Sequence, residues 1–80
     1  MELNKYVKDR TIQWLDSMKS EGAFQGFPEN EMNFQELTDD DIIYYFLEWY
    51  FTDDDKTALE NDEIELLQER KRILKEIEQK

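Results

Sequence analysis

Carboxylates are the groups this sequence holds at a density able to do chemistry, and they gather in its middle. Between residues 29 and 65 stand Glu29, Glu31, Glu36, Asp39, Asp40, Asp41, Glu48, Asp53, Asp54, Asp55, Glu60, Asp62, Glu63 and Glu65, with Lys56 as their single base. That segment alone is more negative than the whole 80-residue chain, whose formal charge is −11. Residues 1–28 are balanced, and residues 66–80, with Arg70, Lys71, Arg72, Lys75 and Lys80, are slightly basic. A field of this sign repels nucleic acid and anionic lipid and attracts cationic surfaces.

Catalysis is the first use such acids could have, and the rest of the composition argues against it. The chain has neither cysteine nor histidine, which removes thiolate and imidazole nucleophiles, bases and metal ligands together. Paired carboxylates, Lys, Tyr, Ser and Thr remain. The spacing Glu69-x-Lys71 matches the Glu-x-Lys of metal nucleases, but it lies in a helical pattern beside two arginines, Arg70 and Arg72, without a strand to carry it. Calcium is the second use, since alternate oxygen ligands suit that ion. The run from Asp53 to Glu65 fails the pattern: it has no glycine for the sharp turn, and a start at Asp53 puts Leu59 and Ile64 at ligand positions. A non-enzymatic chain without metal or cofactor is the expectation.

The third use is display. Thr-Asp-Asp-Asp occurs at Thr38–Asp41 and again at Thr52–Asp55. Each copy fits a helix start, in which the Thr hydroxyl accepts from an early backbone N–H and acids stabilise the first turn. Capping needs one such acid, whereas three adjacent ones repel each other. The surplus points to a partner, and a helix between the triplets would hold them about 21 Å apart, several phosphate steps of a duplex.

The elements that must position these groups are helical. Tyr6, Val7, Thr11, Trp14, Leu15 and Met18 recur at spacings of three and four, which predicts a helix over 4–21 ending at Gly22. Residues 23–37 read as a loop pinned by Phe24, Phe27, Met32, Phe34 and Leu37, with a composition also compatible with a short β element or hairpin. Over 38–51, Ile42, Ile43, Phe46, Leu47, Trp49, Tyr50 and Phe51 fill about 200° of a helical wheel, so this helix is central. Ile43, Phe46, Leu47 and Tyr50 are its expected core; Tyr44, Tyr45, Trp49 and Phe51 are candidates for the surface. From 53 to 79, Leu59, Leu66, Leu67, Ile73, Leu74 and Ile77 predict one long helix, with Glu76 pairing at i,i+4 with Arg72 or Lys80. The fold class expected is mainly α: a single domain over 1–80, a small three-helix bundle with a long C-terminal helix. The polar start lacks the apolar stretch of a secretory signal, and the run from Ile42 to Phe51 is far shorter than the roughly 20 residues of a membrane-crossing helix. A cytoplasmic setting without membrane contact is expected.

In size and composition the chain resembles the DNA-mimic inhibitors that phages and mobile elements deploy against restriction, CRISPR and other host nucleases. The likeness lies in composition and size alone, so no residue role is carried over from it. It implies a basic nucleic-acid-binding protein as partner, and no direct contact with nucleic acid. The residues expected to meet that partner are Asp39, Asp40, Asp41, Glu48, Asp53, Asp54, Asp55, Asp62, Glu63 and Glu65, with Tyr44, Tyr45 and Trp49 as desolvated anchors. The alternative is a helical adaptor or homodimer that binds through its apolar aromatic face, with the charge serving solubility.

Overall fold

The computed structural model describes residues 1–52 and 54–79. Over these it is all helical: α1 (Lys5–Ser20), two 3₁₀ turns (Pro28–Glu31 and Phe34–Glu36), α2 (Asp39–Tyr45) running into a π-helical turn (Phe46–Tyr50), α3 (Asp55–Glu60) and α4 (Ile64–Glu78). No helix among them is long and apolar enough to cross a membrane. The domain measures 34 × 31 × 19 Å, and its thinnest dimension is about two helix diameters, so each helix has one face inward and one in solvent.

Helix α1 starts and stops where its polar chemistry dictates. The Asn4 side chain accepts from the N–H groups of Tyr6 and Val7 at 2.9 and 3.2 Å. At the other end Ala23 N–H donates to Met18 O and Gly22 N–H to Lys19 O, with Gly22 at φ 85°, a reversal that glycine adopts without a Cβ penalty. Val7, Thr11, Ile12 and Leu15 are buried, and the Thr11 hydroxyl is satisfied by donating to Val7 O at 2.8 Å. Tyr6, expected on this face, is exposed instead; its hydroxyl accepts from Arg10 Nη1 at 3.0 Å.

The stretch 23–37 holds turns, and neither strand nor hairpin forms among the described residues. Phe24 and Phe34 are its anchors, with ring centroids 6.0 Å apart, and Lys19 Nζ ties the loop to α1 by donating to Met32 O at 2.8 Å. Met32 and Leu37 pack partly buried against the core, whereas Phe27, also expected as an anchor, is exposed.

Helix α2 is central, as its apolar arc requires. Thr38 Oγ1 accepts from Asp41 N–H at 3.3 Å, and Ile42, Ile43 and Phe46 are buried beneath it. Its last turn widens: Phe51 N–H reaches back five residues to Phe46 O at 2.8 Å. Residues five apart on an α-helix diverge by about 140°, and the π-turn reduces that angle. Phe46 and Phe51 consequently stack, with centroids 5.8 Å apart and planes 8° from parallel. Phe51, a candidate for the surface, is therefore core. Leu47 and Tyr50 are only partly buried, and Tyr50 stacks on Trp14 at 5.3 Å.

The long C-terminal helix expected over 53–79 is two helices. Asp54, in place of Thr52, caps α3 by accepting from Thr57 N–H at 2.8 Å. At its end Glu63 N–H donates to Ala58 O and Asp62 N–H to Leu59 O, with Asp62 in the left-handed region at φ 57°. This is the same reversal that Gly22 makes, carried here by an aspartate, one of the few side chains that tolerates it. α4 buries Leu66, Leu67 and Ile73, whereas Leu59, Leu74 and Ile77 of the expected stripe are exposed. The pairing of Glu76 with Arg72 is present at 2.8 Å; Lys80, its other expected partner, lies outside the described residues.

Glu69 is the one buried acid among the described residues, 7 % exposed, and it organises the N-terminal segment. Its carboxylate accepts from Asn4 N–H at 2.6 Å and from Arg72 Nε and Nη2 at 2.6 and 2.8 Å. Arg72 Nη2 also donates to Glu2 O at 2.8 Å. The hydrogen bonds from Arg72 hold the Glu69 carboxyl below its ordinary range, burial opposes them, and the Asn4 N–H adds to the lowering. A depressed carboxylate contributes stability above its unfolded pKa of about 4.3 and loses it as pH falls through the folded value. Thermal melts of the wild type should therefore drop as pH falls from about 5 to about 2, and Glu69→Gln should flatten that dependence. Glu69→Ala should cost about 2 kcal/mol at neutral pH, read from urea midpoints. Asp62→Gly should raise stability by about 0.5–1 kcal/mol by relieving the left-handed backbone, whereas Asp62→Val should lower it.

Candidate protein-binding face

The acids expected to act together divide into those the fold engages and those it displays. Asp39 is engaged: its carboxylate accepts from Lys8 Nζ at 2.7 Å and from Leu3 N–H at 3.0 Å. Those two bonds, Lys8 first, hold it below the usual carboxylate range against a smaller opposing effect of burial. Asp54 is engaged as the α3 cap, and the Thr57 backbone N–H lowers its pKa. Asp55 pairs with Lys71 at 3.0 Å, both side chains remaining well exposed. Asp53 lies outside the described residues.

Asp40, Asp41, Tyr44, Tyr45 and Glu48 come together on the outer face of α2 and its π-turn. Helical spacing puts them there, and the buried Ile42, Ile43 and Phe46 on the opposite side hold the face in place. Tyr44, 50 % exposed, stands between two surface grooves. One, of about 360 Å³, is lined by Asp40, Ile43, Tyr44, Leu47, Glu48 and Ile77. The other, 230 Å³, is lined by Glu29, Met32, Leu37, Asp41, Tyr44 and Tyr45. Both thus have apolar floors and acidic rims, and no lysine or arginine is among their lining residues.

Tyr45 closes the second groove from below. Its ring meets Phe34 edge-on at 6.1 Å and Tyr44 at 5.2 Å, and its hydroxyl donates to Glu29 Oε1 at 3.3 Å. Burial, with the Glu29 charge next, raises the Tyr45 pKa, so the phenol stays a neutral donor. Tyr45 is therefore a half-buried support, and Tyr44 is the tyrosine a partner can cover.

Trp49 is 51 % exposed and lines neither groove. Asp62, Glu63 and Glu65 sit elsewhere, in a cleft of 380 Å³ shared with Tyr6, Arg10, Ile64 and Leu66. The guanidinium of Arg10 in that cleft donates to the Tyr6 and Tyr50 hydroxyls at 3.0 and 3.3 Å. The two acidic groups are separate features. Among the described residues, no three carboxylates converge into a metal-holding group.

Sequence reasoning missed Glu29, Met32, Leu37 and Ile77 as parts of this face. A signal for Ile77 exists in retrospect: α4 carries more apolar positions than one narrow core stripe uses. Glu29 had none, because its place depends on how the loop folds back against α2. Comparison with known protein families, with curated proteins and with solved structures gave no match for this chain.

The division into engaged and displayed acids is measurable. Asp39→Asn should cost about 1 kcal/mol of stability through the lost Lys8 pairing, whereas Glu48→Gln should change it by less than about 0.5 kcal/mol. Chemical denaturation of the two variants at neutral pH checks this.

Proposed function

We propose that this chain is a non-enzymatic, cytoplasmic inhibitor that binds a basic, nucleic-acid-binding protein, presenting ordered carboxylates where that protein expects phosphates. The observation that carries this reading is the outer face of α2, where Asp40, Asp41, Glu48 and Glu29 surround the exposed Tyr44 and no basic residue lines the adjoining grooves. A Lys/Arg groove that gains affinity from phosphates gains it likewise from fixed carboxylates. Fixity matters, because the ordering cost is met during folding and not at the moment of binding. The −11 charge adds long-range attraction toward such a surface and raises the encounter rate. A host nuclease or defence complex of the kind that DNA-mimic inhibitors block is the partner this reading favours. The ridge it uses is the α2 face: Asp39, Asp54 and Asp55 are taken up by Lys8, the α3 cap and Lys71, whereas Asp40, although it meets the Met1 amino group at 3.3 Å, keeps 77 % of its side chain exposed.

Exposed apolar side chains support a second reading, a helical adaptor or homodimer: Trp49, Leu74 and Ile77 are each at least 40 % exposed. Salt separates the two. A tagged wild-type chain should capture a nucleic-acid-binding protein from lysate at low salt and release it in a salt gradient, and DNA should compete for that protein. The triple variant Asp40→Asn, Asp41→Asn, Glu48→Gln should lose at least about tenfold in affinity with unchanged helicity. Capture that ignores both salt and the triple variant would overturn the inhibitor reading and favour the apolar one. Concentration-dependent sedimentation would identify a homodimer.

A further inference from the structure

The larger groove on the α2 face has a shape and a charge pattern that together specify an occupant. Its floor is a seam between two elements: Ile43 on α2 and Leu47, four residues on in the π-turn, face Ile77 near the end of α4, with Tyr44 as a wall. Ile77 is 47 % exposed, although aliphatic side chains favour burial. At its rim stand Asp40 and Glu48, eight residues apart and so about 12 Å along the helix axis. Asp40 accepts from the Met1 amino group at 3.3 Å yet keeps 77 % of its side chain exposed, which leaves room for a second cation.

From this geometry we infer that the groove seats a cationic amphipathic α-helix of the partner, with apolar side chains on Ile43, Leu47 and Ile77 and a Lys or Arg at each end on Asp40 and Glu48. The proposal rests on the anionic face of the preceding section and names the segment it receives. A seam between two helices is filled by the ridge of a third, and two acidic positions about 12 Å apart along the axis match basic residues at positions i and i+7 or i+8. A second copy of this chain is the wrong occupant: it brings a charge of −11 of its own and would set acid against acid at the rim.

The test uses three synthetic peptides of equal length and equal net charge with the full chain at low salt. The first is a Leu/Lys peptide with Leu at i, i+3, i+4 and i+7; the second is its shuffled isomer, without a helical apolar face; the third is a Ser/Lys peptide. The first should bind at least about tenfold more tightly than the other two, with amide NMR shifts centred on Ile43, Tyr44, Leu47 and Ile77. Ile77→Gln and Tyr44→Ala, both at exposed sites that circular dichroism will show to be folded, should each weaken it about tenfold. Leu59→Gln, an exposed apolar position on α3, should leave it unchanged. Equal binding of the three peptides, or indifference to Ile77→Gln and Tyr44→Ala, overturns the groove while leaving the anionic face standing. No binding of any peptide at low salt overturns both.

Discussion

Three residues ahead of the first helix hold the domain together. Leu3 is buried in the core, its N–H is taken by Asp39 at the start of α2, and the next N–H, of Asn4, is taken by Glu69 in the middle of α4. Arg72 completes the bracket on Glu2 O, while the Asn4 side chain caps α1. One short extended segment thus ties the starts of two helices to the middle of a third. A buried carboxylate is tolerable here because every strong acceptor position has a donor: a bidentate guanidinium and a backbone amide. Without the bracket α4 would lose its polar tie to the N-terminal segment, and the place that Ile77 takes in the floor of the α2 groove would lose its anchorage.

That bracket also decides which charges are free. A chain this acidic must spend some of its carboxylates on its own coherence, and Asp39, Glu69, Asp54 and Asp55 each meet a cation or a backbone donor. The bases they meet, Lys8, Arg72 and Lys71, come from the balanced or basic ends of the sequence. Pairing the ends with selected acids leaves a remainder on the surface in two separate groups, one on α2 and its neighbouring loop and one at Asp62, Glu63 and Glu65. Net charge describes the far field of the molecule; the choice of which acids stay unpaired describes its near field, where recognition happens.

Much of this was legible from residue order. The apolar spacing and Gly22 bound α1, the Thr38 cap with its apolar arc marks α2, and helical spacing alone groups Asp40, Asp41, Tyr44, Tyr45 and Glu48. The break before α4 was hidden because Asp62 occupies a conformation usually marked by glycine, so an unbroken helix was the natural reading of 53–79. Thr52 and Asp54 are both good caps, and the choice between them is tertiary: Phe51 must first turn inward onto Phe46, which delays the next helix. The grooves were illegible for a similar reason, since each joins α2 to residues far away in sequence, and side-chain periodicity carries no information about which distant element lies alongside.

The widened turn at Phe46–Tyr50 works as a slip in phase. Before it, the helix keeps step with α1; after it, the chain has advanced far enough for a second aromatic ring to lie flat beside the first. The slip separates two tasks that a regular helix would tangle, because the inward side is set by a pair of stacked rings while the outward side is free to vary. Side chains at Tyr44 and Glu48 can therefore drift with the demands of whatever they touch, and the domain's closure does not drift with them.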